Sequence, residues 1–182
     1  MPVLYQNCVV STSCNTDYGT DIAGALKSLN STMPTPGLGS NASGDTPQEV
    51  IFLVTDGVED KIVSGASACP NASLASNKRC QQPLDTTMCT TIKARGIKIA
   101  ILYTEYLQLI NLGPNNNVTD SWYMSWVDPY DEPQPSTGTI AQNLQSCASP
   151  GYYASVTTGG DITGALTALF IKVASSTASL TQ

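Results

Sequence analysis

Apolar and polar positions alternate between two periods along this chain. Asp21 to Asn30 (DIAGALKSLN) puts Ile22, Leu26 and Leu29 on one helical face, with Thr20 or Asp21 placed to cap it. Val50 to Val54 is apolar at every position, the pattern of a strand covered on both faces. Asp85 to Arg95 returns to helical spacing, with Met88, Cys89 and Ile92 inward and Gly96 as the stop. Ile97 to Tyr103 reads as a second buried strand, Thr139 to Cys147 as a short helix and Tyr152 to Val156 as a third strand. Asp161 to Ala174 then places Ile162, Leu166, Leu169 and Val173 on one amphipathic face. Strands separated by short helices predict right-handed βαβ crossovers and a parallel sheet. The expected fold class is α/β, a doubly wound and mostly parallel sheet with helices on both faces, built as a single domain over residues 1–182.

Two stretches break the alternation. Ser31 to Gln48 is a loop rich in Ser, Pro and Gly. The stretch from about Thr104 to Gly138 is too long to be a plain connector, and it carries Tyr106, Trp122, Tyr123, Trp126 and Tyr130. Both tryptophans of the protein lie there. Such aromatics serve either as a lid packed on the core or as anchors of an interface, so Trp122, Tyr123, Trp126 and Tyr130 are candidate partner-binding residues. One echo stands out: Asp21-Ile22-Ala23-Gly24-Ala25-Leu26 against Asp161-Ile162-Thr163-Gly164-Ala165-Leu166. Its spacing fits no short repeat, so it reads as one good helix start used twice.

Composition narrows the chemistry. The net charge is −6, and the 8 Lys and Arg form no basic stripe, which argues against nucleic acid as a partner. Histidine is absent, which removes Ser-His and Cys-His catalytic pairs and any His-built zinc site. Six cysteines (Cys8, Cys14, Cys69, Cys80, Cys89 and Cys147) include no CxxC pair and match no zinc module. They read as disulfides in an oxidising compartment, with buried free thiols as the alternative. Pairing Cys8 with Cys14 and Cys69 with Cys80 would leave Cys89 and Cys147 to join two helices, one of fifteen possible arrangements. The start MPVLYQNCVV lacks a basic region and a long apolar core, so it does not read as an export signal. Oxidised cysteines without a signal suggest the downstream part of something longer. No stretch reaches the length of a membrane span.

The candidate chemistry sits at strand ends. In open parallel sheets, ligands bind beyond the carboxyl ends of the strands, and Asp56 follows Val50 to Val54 there. Thr20 opens a helix where a hydroxyl and exposed N–H groups converge. A Thr hydroxyl and an Asp carboxylate suit a hard cation, Mg²⁺ or Mn²⁺, with Ca²⁺ as a further option. The plainer reading makes Thr20 a helix cap and Asp56 an Asx-turn. Glu59 and Asp60 behind Asp56 form either a carboxylate cluster for metal-assisted hydrolysis or, as the sequence favours, a solvated acidic turn. Gly37 to Ala42 matches a dinucleotide fingerprint in letters only, since it precedes a strand and opens no helix.

GTDIAGAL, followed some thirty residues later by IFLVTDG, resembles the second half of a von Willebrand factor type A domain. The later segments CTTIKARGIKIAILYTEYL, SWYMSWVDPY and LQSCASPGYYASVTTGGDITGALTALF resemble the C-terminal part of TadG-like (TadE/TadG family) bacterial pilus-assembly proteins. The resemblance implies a metal-ion-dependent adhesion site to which Thr20 and Asp56 belong. The Asp-x-Ser-x-Ser motif of that family is absent from this sequence, so the site would be partial. The strand that normally bears it would lie beside Val50 to Val54, leaving an open edge that an upstream segment, a second copy or the stretch Met1 to Val10 would have to cover.

The function expected from these readings is a non-enzymatic protein-binding and assembly module of a Tad/Flp-type pilus in a bacterial cell envelope. It would face the periplasm or the exterior and be membrane-anchored through an upstream segment. One alternative is a metal-dependent hydrolase using Asp56, Glu59 and Asp60. The other is a purely structural domain with a degenerate metal site.

Overall fold

The computed structural model describes residues 20–40, 42–62, 75–76, 79–105, 110–111, 118–119, 127–131, 138–157 and 159–178. Three parallel strands form the central sheet in the order β1 (Val50–Thr55), β5 (Lys98–Thr104) and β8 (Tyr153–Val156). These are the three apolar runs of the sequence. β1 pairs with β5 from Val50 opposite Lys98 to Thr55 opposite Tyr103, and β5 pairs with β8 from Ile101 opposite Tyr153 to Thr104 opposite Val156. The chain is thus mixed α/β with a parallel sheet flanked by helices, the coarse form of the expected class.

β5 is central and buried on both faces, and its side chains divide the interior. Ile99, Ile101 and Tyr103 point into one cluster with Ile51 and with residues of α1 (Ile22–Thr32), α2 (Thr87–Ala94) and α4 (Thr139–Cys147). Ala100 and Leu102 point into a second cluster with Tyr152, Val156 and two residues of α5 (Ile162–Ala178), Leu169 and Val173. Among the described residues, α1, α2 and α4 therefore pack on one face and α5 on the other. Among the described residues, no helix is long and apolar enough to cross a membrane.

Local sequence explains the helix ends. The Asp21 carboxylate accepts the Gly24 N–H at 2.8 Å, and Asp161 accepts the Gly164 N–H at 2.8 Å, so the echoed hexapeptide makes the same N-cap twice. A Cβ at either glycine would stand 2.3 Å from the capping carboxylate, which is why glycine recurs three residues after the aspartate. At the other end of α1, the Arg95 guanidinium donates to the Asn30 side-chain oxygen at 2.9 Å, to the Met33 carbonyl at 2.8 Å and to the Asn30 carbonyl. Lys93 serves α4 in the same way through the carbonyls of Ser146 and Ala148. Cations at C-terminal carbonyls satisfy groups that the helix leaves orphaned.

Cys89 of α2 and Cys147 of α4 are joined in a disulfide with Cα atoms 5.1 Å apart. This is the helix-to-helix bond foreseen for the pair. Cys80 is also disulfide-bonded. Cys8, Cys14 and Cys69 lie outside the described residues.

The sequence reading missed a second, antiparallel sheet: β2 (Val58–Ile62) pairs with β4 (Arg79–Pro83), which also pairs with β3 (Ala75–Ser76). Its strands VEDKI and RCQQP lack apolar alternation, so the period-2 signal is faint. Within the long aromatic stretch, β6 (Ile110–Asn111) pairs with β7 (Val118–Thr119), and α3 (Asp128–Asp131) forms a single turn. Two of the expected apolar faces are only partly covered. Leu29 of α1 is exposed, and on α5 only Leu169 and Val173 of the expected stripe are buried, while Ile162 and Leu166 are exposed.

Candidate functional site

The carboxyl end of β1 is a turn held by its own side chains. The Gly57 N–H donates to the Thr55 hydroxyl at 3.0 Å, and the Val58 N–H donates to the Asp56 carboxylate at 3.3 Å. Gly57 has φ +82°, and a Cβ there would stand 2.5 Å from Ile140 and 2.8 Å from Leu144 of α4. The motif Thr55-Asp56-Gly57 thus has a structural job: it turns the chain from β1 into β2 of the second sheet beneath a packed helix. The Asx-turn is one role of Asp56.

Glu59 and Asp60 do not form a solvated acidic turn. Both are buried, and β2 and β4 clamp them by cross-strand pairs. Glu59 accepts from Gln82 at 3.3 Å, from Lys61 at 3.1 Å and from the Ala23 N–H at 2.7 Å. The last contact places a buried carboxylate at the N-terminus of α1, where the helix dipole and an orphaned N–H favour negative charge. Asp60 accepts from Gln81 at 3.1 Å, and its main chain exchanges two hydrogen bonds with Thr20, at 2.9 and 3.1 Å. The Glu59 carboxylate and the Asp60 main chain therefore tie the start of α1 to the hairpin.

Thr20 is exposed and is fixed by that bridge four residues beyond Asp56 in the chain. The cap of α1 is Asp21. A hard cation asks for about six oxygen ligands. Thr20 and Asp56 would supply two, and the described residues contain no group of three or more His, Cys, Asp or Glu able to hold a metal. Among the described residues, no complete cation shell is formed.

Tyr130 is half-buried on α3 and packs against the larger core cluster, to which buried Val127 belongs. Trp122, Tyr123 and Trp126 lie outside the described residues. Two other polar sites have local causes. Hydrogen bonds from the Ser40 hydroxyl and from the N–H groups of Leu38, Ser40 and Thr46 hold the Asp45 carboxyl down at about 2. Burial, with Glu105 nearby, pushes the Tyr153 hydroxyl up to about 12.

The most distinctive surface is the outer edge of β1. The Lys98 N–H donates to the Glu49 carbonyl, so main-chain groups of alternate residues from Glu49 onward point to β5. Those of Val50, Phe52 and Val54 consequently point away from it, and among the described residues no strand pairs with them. The strand VIFLVT carries no charge, no proline and no bulge on that edge. On the side toward α5, Val50 packs against the second cluster, while Phe52 is 37% exposed and Val54 49%. The Phe170 ring, 59% exposed, lies 5.9 Å from the Phe52 ring, so strand and helix form one apolar strip. The sequence signalled the open edge. It did not signal the helix side, because Phe170 lies beside the stripe formed by Ile162, Leu166, Leu169 and Val173.

Compared with known proteins, the chain matches no protein-family model, no curated protein and no solved structure.

Proposed function

We propose that this chain is a non-enzymatic binding and assembly module that engages protein partners along the open edge of β1. The observation that carries this reading is the uncharged strand edge and the exposed Phe52, Val54 and Phe170 beside it. An apolar strip continuous with unpaired strand groups marks an interaction surface. Strand addition would supply main-chain hydrogen bonds, and the strip would supply apolar burial. The disulfide-bonded cysteines suit a compartment outside the reducing cytosol. The sequence resemblance to type A and TadG-like proteins favours the same reading and would put the module in a bacterial cell envelope, within a pilus-type assembly.

The cation belongs to this proposal in a subordinate role. Thr20 and Asp56 would hold Mg²⁺ or Mn²⁺ only with further ligands, so binding to this chain alone is expected near a Kd on the order of 10⁻³ M. Isothermal titration checks it: Asp56→Ala should abolish whatever binding is seen, and unchanged binding would take Asp56 out of the site.

The surface itself is tested with photo-crosslinking side chains at Val54 and Phe170 in cells of the native source, with Lys27 as control. A protein adduct at the first two positions and none at the control is expected. No adduct at either strip position would sink the reading.

A further inference from the structure

We infer that the occupant of the β1 edge is a second copy of this chain, paired antiparallel through β1 across a two-fold axis. The inference rests on the binding reading above and names its partner.

The crossovers define which edge is free. β1 leads through α2 to β5, and β5 through α4 to β8, with both helices on the same face. Right-handed crossovers of this kind advance the sheet in one direction and leave β1 at its trailing edge. Val50, Phe52 and Val54 present their N–H and C=O groups there, three outward-facing residues in a row of alternation.

Symmetry then fixes the register. Two antiparallel copies of one strand are related by an axis normal to the sheet, which keeps each face on its own side. Opposed residues must then share a face, and outward-facing groups must meet outward-facing groups. Centring the axis on Phe52 sets Phe52 opposite Phe52 and Val50 opposite Val54, which uses every outward group of the strand. A shift by two residues in either direction loses one of these pairs. The product is a continuous six-stranded sheet, β8-β5-β1-β1-β5-β8.

The same axis brings the two apolar strips together. α5 lies on the same face in both copies, so the two Phe52–Phe170 pairs would face one another over the seam, flanked by Val54 and Leu166. No like charges oppose: β1 has none, and the single charged residue of α5, Lys172, lies beyond Phe170 and Ile171. The exposed parts of Phe52, Val54, Ile162, Leu166 and Phe170 amount to roughly 400 Å² per copy if each side chain presents about 150–200 Å² in full. With the strand edge included, the two copies would bury on the order of 1,000 Å², the lower bound for a specific interface. The dimer is expected to form at micromolar rather than nanomolar concentrations.

Sedimentation velocity of the full chain up to about 100 µM tests this. The wild type should shift to a dimer with concentration, and Val54→Lys and Phe170→Lys should each sediment as monomers over the same range. Mild oxidation of Phe52→Cys should give a 52–52 crosslink in the peptide map, because opposed Cα atoms about 5.5 Å apart are within disulfide reach. Circular dichroism shows whether the lysine variants fold, and the crosslink gives an answer if they do not. A monomeric wild type overturns the inference. If a variant beginning at Thr20 then dimerises, the leading residues are the occupant. If the monomer still crosslinks to a different protein at Val54, the binding reading survives with another partner, and if it crosslinks to nothing both fall. A dimer that persists in both lysine variants and gives no 52–52 link also overturns it.

Discussion

α1 and α5 begin with nearly the same six residues and end in opposite situations. Each starts on an aspartate whose carboxylate caps a glycine N–H at 2.8 Å, so the local chemistry is identical. In α1, Ile22 and Leu26 are 7% and 2% exposed. In α5, the matching Ile162 and Leu166 are 48% and 36% exposed. The difference comes from the company each helix keeps. α1 shares its face of the sheet with α2 and α4, which are joined by a disulfide, whereas among the described residues α5 is the one helix packed on the other face. A helix start specifies a helix, and the number of neighbours specifies how much of it is buried.

The comparison can be broken at several points, the largest effect first. The Cys89–Cys147 bond closes a loop with a sequence separation of 58 on the three-helix face. Cys147→Ser should cost about 4 kcal/mol in urea unfolding by the loop-closure relation. A loss below about 1 kcal/mol would mean that helix packing holds this face without the bond.

The paired leucines come next. Leu26→Ala should cost about 3 kcal/mol and Leu166→Ala less than about 1 kcal/mol, because one empties a core site and the other trims a surface. The measurement belongs in a Val54→Lys background, where association does not add to the reading. Equal losses would show that the local sequence, and not the covering layer, sets the energetics.

The caps should behave alike. Asp21→Ala and Asp161→Ala should each cost about 1 kcal/mol, because each removes one acceptor from one exposed helix start. A much larger loss at Asp21 would tie its cap to the neighbouring Glu59 contact at Ala23.

The smallest effect concerns Asp45, an aspartate that organises a loop rather than a helix. Its carboxyl sits at about 2 in the folded protein against 3.8 for the free group. A depressed folded value means that its contribution is complete above about 3.8 and is lost as the pH falls through about 2. Asp45→Asn should flatten the acid limb of the stability profile in that window. An unchanged limb would assign the acid sensitivity to other carboxylates.

Legibility followed burial and periodicity. The runs at Val50, Ile97 and Tyr152 were readable as strands because each is apolar on both faces or nearly so. Cys89 and Cys147 stood out as the pair that would join two helices, and they do. The hairpin of β2 and β4 was not readable, because Glu59, Asp60, Gln81 and Gln82 stabilise it by pairing polar groups across the ladder. A charged run looks solvated until its partners are known. Leu29 and Leu166 share helical faces with buried residues and are themselves exposed, because helical spacing identifies a stripe without saying how wide its cover is.

The sequence by itself determined where the main helices and the three parallel strands run and that one helix start is used twice. Those features depend on neighbours a few residues away, through hydrogen bonds and side-chain period. The apolar run at Val50 to Val54 predicted a strand covered on both faces, whereas Phe52 and Val54 are exposed. Only the tertiary structure decided that Glu59 and Asp60 are internal ties, that α5 packs on the face opposite α1, α2 and α4, and that Phe170 joins Phe52 at the edge of β1. These depend on which layers meet across the sheet, and no local pattern in the chain encodes the width of that contact.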